Sequence, residues 1–133
     1  MEIFLMKYMK AERDNDIYVY AIVNNGFYEG KQNHIAIDII KNWSLRCGIH
    51  FAQGIGHGAG EMMEYLKKYP LGYGPLKSLG KSLIHMSENI QTNSSGETVF
   101  SNPNFPRFAW KFAGTHFFWN ASAKKNGVRK KRF

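Results

Sequence analysis

Two glycine-punctuated stretches hold most of the residues in this chain that could bind or react. One is Asn24, Asn25, Gly26, Phe27, Tyr28 and Glu29, with Gln32 just beyond; the other runs from Gly54 to Gly60 and contains Gly54, Gly56 and His57. Asn and Gly tolerate the backbone angles of turns, so Asn24 to Gly26 reads by itself as a strand-ending turn. Gly54, Gly56 and Ala59 loosely match the G-x-G-x-x-G/A spacing that lets a backbone approach a pyrophosphate, but no acidic residue on a following strand completes that fingerprint. His57 is placed either to titrate near neutral pH or to sit solvated in a loop.

The remaining reactive side chains exclude several chemistries. His34, His50, His85 and His116 show no metal-ligand spacing and no carboxylate set to orient them, which argues against a zinc site or a hydrolytic triad. Cys47 is the only cysteine, so no intrachain disulfide forms, and a buried, inert thiol is expected. Glu61 suits the first turn of a helix, where the dipole favours a negative charge.

These residues need elements to hold them. A length of 133 residues with 44% hydrophobic and 21% charged side chains fits one globular α/β domain, taken as residues 1–123, followed by a basic tail over 124–133. Residues 1–10 suit a short helix and 11–16 a polar connection. Residues 17–23, β-branched and aromatic without polar alternation, predict a strand buried on both faces, as in parallel sheets. Asn33 is a plausible N-cap for a helix over 34–46, whose apolar positions Ile37, Ile40, Trp43 and Cys47 recur at helical spacing, and Gly48 supplies its stop. A second strand is expected at 49–53, then a glycine-rich loop at 54–60 and a helix start at Glu61. The order strand, helix, strand, helix predicts a right-handed βαβ unit with parallel strands, whose trailing loops open on one edge where such sheets bind ligands.

Farther along, Leu76, Leu79, Leu83, Met86 and Ile90 predict a core-facing helix to residue 91, and 92–96 a polar loop. An aromatic helix over 105–121, carrying Phe108, Trp110, Phe112, Phe117, Phe118 and Trp119, reads as core or interface in preference to a cofactor box.

The formal charge of +8 is unevenly spread: residues 1–97 carry ten basic and ten acidic side chains, residues 98–133 eight basic and none acidic. Lys124, Lys125, Arg129, Lys130, Lys131 and Arg132 lack interleaved aromatics to stack bases, so a solvated terminus is favoured over nucleic-acid binding. Residues 17–23, the longest mainly apolar stretch, are too few to span a bilayer, and residues 1–10 lack signal-peptide features, so no membrane partner and a cytoplasmic location are expected.

The segments Val23 to Asn33, Gly54 to Met62 and Asn102 to Phe108, in that order, resemble flavodoxin-like NAD(P)H-dependent FMN oxidoreductases over most of residues 17–127. The resemblance implies a partial flavodoxin-like, three-layer α/β/α fold with parallel strands, corresponding to the C-terminal half of the family with the N-terminal, phosphate-binding half missing. It implies FMN as cofactor and NADPH or NADH as electron donor. Asn24, Asn25, Gly26, Phe27 and Tyr28 would lie along the isoalloxazine ring, with Glu29 and Gln32 closing the loop, while Gly54, Gly56 and His57 would line the ligand edge. Backbone N–H donors of such a loop stabilise negative charge on reduced flavin. A homo-oligomer, or a separately encoded first half, is expected to cover the open sheet. The competing expectation is a non-catalytic interaction module that holds FMN weakly.

Overall fold

The computed structural model of the protein describes residues 17–128. The helix expected over 1–10, the connection at 11–16 and the tail cations Arg129 to Arg132 lie outside the described residues.

Three parallel strands form one sheet in the order β1 (Tyr18–Asn24), β2 (His50–His57), β3 (Val99–Ser101). Helix α1 (His34–Cys47) joins β1 to β2. Its face is set by Ile37 and Cys47, both buried, and it ends at Gly48 in the left-handed conformation (φ 70°), the geometry a glycine provides without steric cost. A short helix α2 (Met63–Leu66) and the longer α3 (Lys77–Gln91) join β2 to β3. After β3 the chain becomes helical again as α4 (Arg107–Ala113), continues through a π-helical stretch (Gly114–Trp119) and ends as α5 (Asn120–Lys125), which takes in the first two tail cations. No helix among the described residues is long and apolar enough to cross a membrane.

Helices cover both faces of the sheet. Ile55 of β2 packs in a cluster with Leu66, Leu76, Leu79 and Met86, so α2 and α3 occupy its side. A Cβ on the neighbouring Gly54 would meet Ile37 Cγ2 at 2.9 Å, so α1 lies against the other side. The two crossovers step the same way across the sheet on opposite faces and are therefore of opposite hand. The N–H of Asn25 donates to the carbonyl of His57, so the backbone groups of His57, and of Ile55 on the same face, point toward β1. For L-residues this makes the β1-α1-β2 crossover right-handed, as expected, and the β2-α3-β3 crossover left-handed, a hand that parallel connections seldom take.

Four sequence expectations are corrected here. β1 lies at the sheet edge and is only partly covered, with Ile22 58% exposed, because no described strand flanks its outer side. Asn33 does not cap α1 with its side chain; it is buried at the end of a 3-10 turn (Gly30–Asn33) and is used elsewhere. Residues 54–57 continue β2 instead of forming a loop, because their glycines admit close neighbours on either side. The sheet has a third strand where two were expected; β3 is too short to leave a periodic signature.

Ile55 has no exposed surface and sits between the sheet and α3. Replacing it by Ala removes buried methyl groups and leaves a cavity, so Ile55→Ala is expected to lower unfolding free energy by about 2–4 kcal/mol, measured by urea denaturation.

Candidate functional site

The loops after all three strands meet at the carboxyl edge of the sheet and are tied by hydrogen bonds. Asn25 N–H donates to the His57 carbonyl at 3.3 Å, Gly60 N–H to the Asn25 carbonyl at 2.6 Å, Gly58 N–H to the Ser101 carbonyl at 3.1 Å, and Ala59 N–H to the Phe27 carbonyl. The Asn33 carboxamide donates to the carbonyls of Gly30 and His57, both at 3.0 Å, and Gly30 N–H donates to Asn102 Oδ1 at 2.8 Å. Asn25 folds its own loop: its Oδ1 accepts from Phe27 N–H at 3.0 Å and its Nδ2 donates to the Glu29 carbonyl at 3.3 Å, the local bonding for which Asn is favoured in turns. Ala59 holds a left-handed backbone (φ 58°) at the turn out of β2, a conformation that is uncommon for a residue with a Cβ.

Beside this knot lies a groove of about 310 Å³. Glu61, Met62 and Tyr65 form one wall; Trp110, Lys111, Ala113, Gly114, Thr115 and Trp119 form the other. The β1 loop touches both walls. A Cβ on Gly26 would come within 2.9 Å of Glu61 Oε1, and the Tyr28 ring meets Trp110 edge-on at 6.1 Å between centroids. Tyr28 also donates its hydroxyl to the Phe105 carbonyl at 2.6 Å, and Glu29 pairs with Arg107 at 3.0 Å, which anchors the start of α4 to the β1 loop. The second wall includes Gly114, Thr115 and Trp119 of the π-helical stretch, and π-helical insertions occur often at functional sites.

The residues singled out in the sequence fall into three places. Gly26 and Tyr28 border the groove, with Asn25 and Phe27 in the same loop and Asn24 at the end of β1. Glu29 and Gln32 line a separate, open depression with Lys31 and His34. Gly54, Gly56 and His57 lie inside β2 and are buried. A side chain at Gly54 would press on Ile37, and one at Gly56 on Phe100, so these glycines serve close packing. The loop donors expected to face a ligand are partly spent, since the N–H groups of Asn25 and Phe27 bond within the knot.

Sequence reasoning missed the groove's walls. Glu61 reads in the sequence only as favouring a helix start, and the aromatic helix as core or interface; α4 and α5 contain no buried residue and Phe108 is 76% exposed, which removes the core reading alone. The available signal was the Gly114-Thr115 pair interrupting the aromatic run.

His57 is 1% exposed. Its Nδ1 lies 2.9 Å from Ser101 Oγ, while Nε2 has no hydrogen-bond partner among the described residues. Burial pushes its pKa below the usual 6.5, against a smaller opposing effect of Ser101. Comparison with protein-family models, curated proteins and solved structures finds no match to this chain.

The His57 environment has a consequence for stability. Above about pH 6.5 the ring is neutral in both the folded and unfolded chain and contributes no pH dependence; as pH falls below that, the unfolded chain takes up a proton that the fold resists, so stability declines. His57→Gln is expected to lose less stability than the parent between pH 7.5 and pH 5, read from urea midpoints at both values.

Proposed function

We propose that this chain forms the ring-binding part of a flavodoxin-like, FMN-dependent NAD(P)H oxidoreductase, with the groove receiving the isoalloxazine ring. The observation that carries the reading is the groove's place and lining. It opens beside loops gathered at the carboxyl edge of a parallel sheet, where α/β folds hold ligands, and Tyr65, Trp110 and Trp119 give it aromatic walls.

The groove suits a flat, mainly apolar ring with a few polar edges. Tyr65, Trp110 and Trp119 would hold the ring, Gly26 would let it approach the β1 loop, and Lys111 would supply positive charge near its polar edge. Bound flavin supplies hydride and electron transfer between a nicotinamide donor and an acceptor. Glu61 acts in the opposite sense to Lys111, disfavouring added negative charge at its own end of the groove. The N–H groups of Asn25, Phe27 and Gly30 are already bonded, so in this reading the FMN phosphate is gripped outside these loops.

A second reading, a non-catalytic interaction module that holds FMN weakly, is favoured by the exposed aromatic surface at Phe108 and Phe112.

Flavin fluorescence separates the two. If the ring alone is held, riboflavin and FMN quench to a similar extent on titration with the protein, with dissociation constants within about threefold of one another. Gly26→Leu, which places a side chain against Glu61, is expected to weaken both by about tenfold or more, equivalent to roughly 1.4 kcal/mol. Quenching by neither ligand would remove the flavin reading. Quenching without NADH or NADPH oxidation, even with candidate partner chains added, would favour the interaction module.

A further inference from the structure

Half of the backbone of β1 is committed to β2, and the ladder shows which half. His50 N–H donates to the Ile17 carbonyl at 3.0 Å, and Asn25 N–H to the His57 carbonyl at 3.3 Å. In a parallel pair, alternate residues of one strand direct their N–H and C=O groups at the same neighbour. Odd-numbered residues of β1 therefore face β2, and Tyr18, Tyr20, Ile22 and Asn24 direct their backbone groups outward. Among the described residues no strand pairs with that side.

Natural sheets blunt such an edge with charge, proline, a bulge or brevity. β1 is seven residues long, YVYAIVN, with no charged residue and no proline, and the register irregularity places the extra residue on β2. Ile22 adds an exposed apolar side chain. The opposite edge is different: β3 has three residues, brevity of the kind that blunts an edge. β1 itself carries no charge, so two copies meeting along it oppose no like charges.

We propose that β1 is a self-association edge, at which two copies of the chain pair antiparallel across a two-fold axis and join their sheets. The strand is self-complementary for this purpose. With Ala21 opposite Ala21 of the second copy, Tyr20 falls opposite Ile22 and Tyr18 opposite Asn24, so every outward-directed group of the strand meets one on its counterpart. Outward-directed residues then form the hydrogen-bonded pairs, and Ala21 occupies a non-hydrogen-bonded position, where the strands approach most closely and a small side chain fits. Ile22 would lie opposite Tyr20 of the second copy on the same sheet face, as a cross-strand neighbour, while each Tyr20 keeps its hydroxyl bonds to Asn89 and Ser94 of its own chain. A two-fold axis makes the same patch serve both copies, the commonest arrangement in soluble oligomers. The pairing does not depend on what occupies the groove.

The test is light scattering of the full chain over a concentration series, combined with backbone hydrogen exchange. A dimer is expected, with the amides of Tyr20, Ile22 and Asn24 slowed as concentration rises. Ile22→Lys puts a charge on each side of the junction and is expected to weaken dimerisation about tenfold or more. A chain that stays monomeric up to about 100 µM, weaker than most specific assemblies, overturns the proposal. So does a dimer in which the Tyr20 and Ile22 amides exchange as fast as in the dilute protein, or one unaffected by Ile22→Lys, since either places the interface elsewhere. Binding of a foreign strand by a chain that is monomeric alone also counts against it. Should Ile22→Lys fail to fold by circular dichroism, the parent's concentration-dependent exchange decides alone.

Discussion

The close approach of three backbones at the carboxyl edge of the sheet constrains everything else. A Cβ on Gly30 would meet the Gly56 carbonyl at 2.7 Å and collide with that of Ser101, so the chain after β1 can lie across the ends of β2 and β3 only because that side chain is missing. The buried Asn33 carboxamide then joins the carbonyls of Gly30 and His57, giving the His57 carbonyl a second donor beside Asn25 N–H and pairing its own buried donors, which would be costly to leave unbonded away from water. The position of the β1 loop, and with it Gly26 and Tyr28, follows from this fit. The groove inherits its geometry from it, since one wall begins beside Gly26 and the other is held by Tyr28 and by the Glu29 pair with Arg107.

Much of the frame was legible in the sequence because it depends on local chemistry. The parallel direction of β1 and β2 follows from an apolar strand, a helix with Ile37 and Cys47 on one face, and a glycine stop at Gly48. The extent of β2 was not legible. Gly54 and Gly56 carry no side chain to reveal strand alternation, and glycine weakens strands in isolation, so the run resembles a loop until Ile37 and Phe100 are seen to occupy the vacated space. β3 was hidden by its three-residue length. Its pairing is dictated by a neighbour about forty residues earlier, not by local pattern.

The candidate site was legible in part for the same reason. Asn24 to Tyr28 stand out because turn chemistry is local, and the structure places that loop at the groove. Glu61, Tyr65, Lys111 and Trp119 do not stand out, since only tertiary placement makes them face one another. His57 shows the reverse error. Its glycine neighbours suggest an exposed, titrating loop residue, whereas the extension of β2 turns it inward against Ser101. A group that resists protonation in this way is better suited to fixing strand ends than to exchanging protons with a ligand.

The two crossovers of opposite hand bear on how the site and the β1 edge relate. With α1 on one face and α2 and α3 on the other, one crossover joins the edge strand β1 to the central β2 and the next joins β2 to β3, and neither passes outside β1. Tyr20 reaches over β2 to donate its hydroxyl to the carbonyls of Asn89 and Ser94 at 3.0 and 2.8 Å, which fastens β1 to the end of α3 from the inner side. The strand is thus held firmly along its β2 side while its outer groups stay directed away from the domain. Rigid backing is what makes an edge competent to pair, because little conformational entropy remains to be lost when a second strand arrives. The groove lies at the carboxyl end of the same strand, past Asn24, so a neighbouring chain paired antiparallel along β1 would bring its own Tyr18 beside Asn24, where the β1 loop begins.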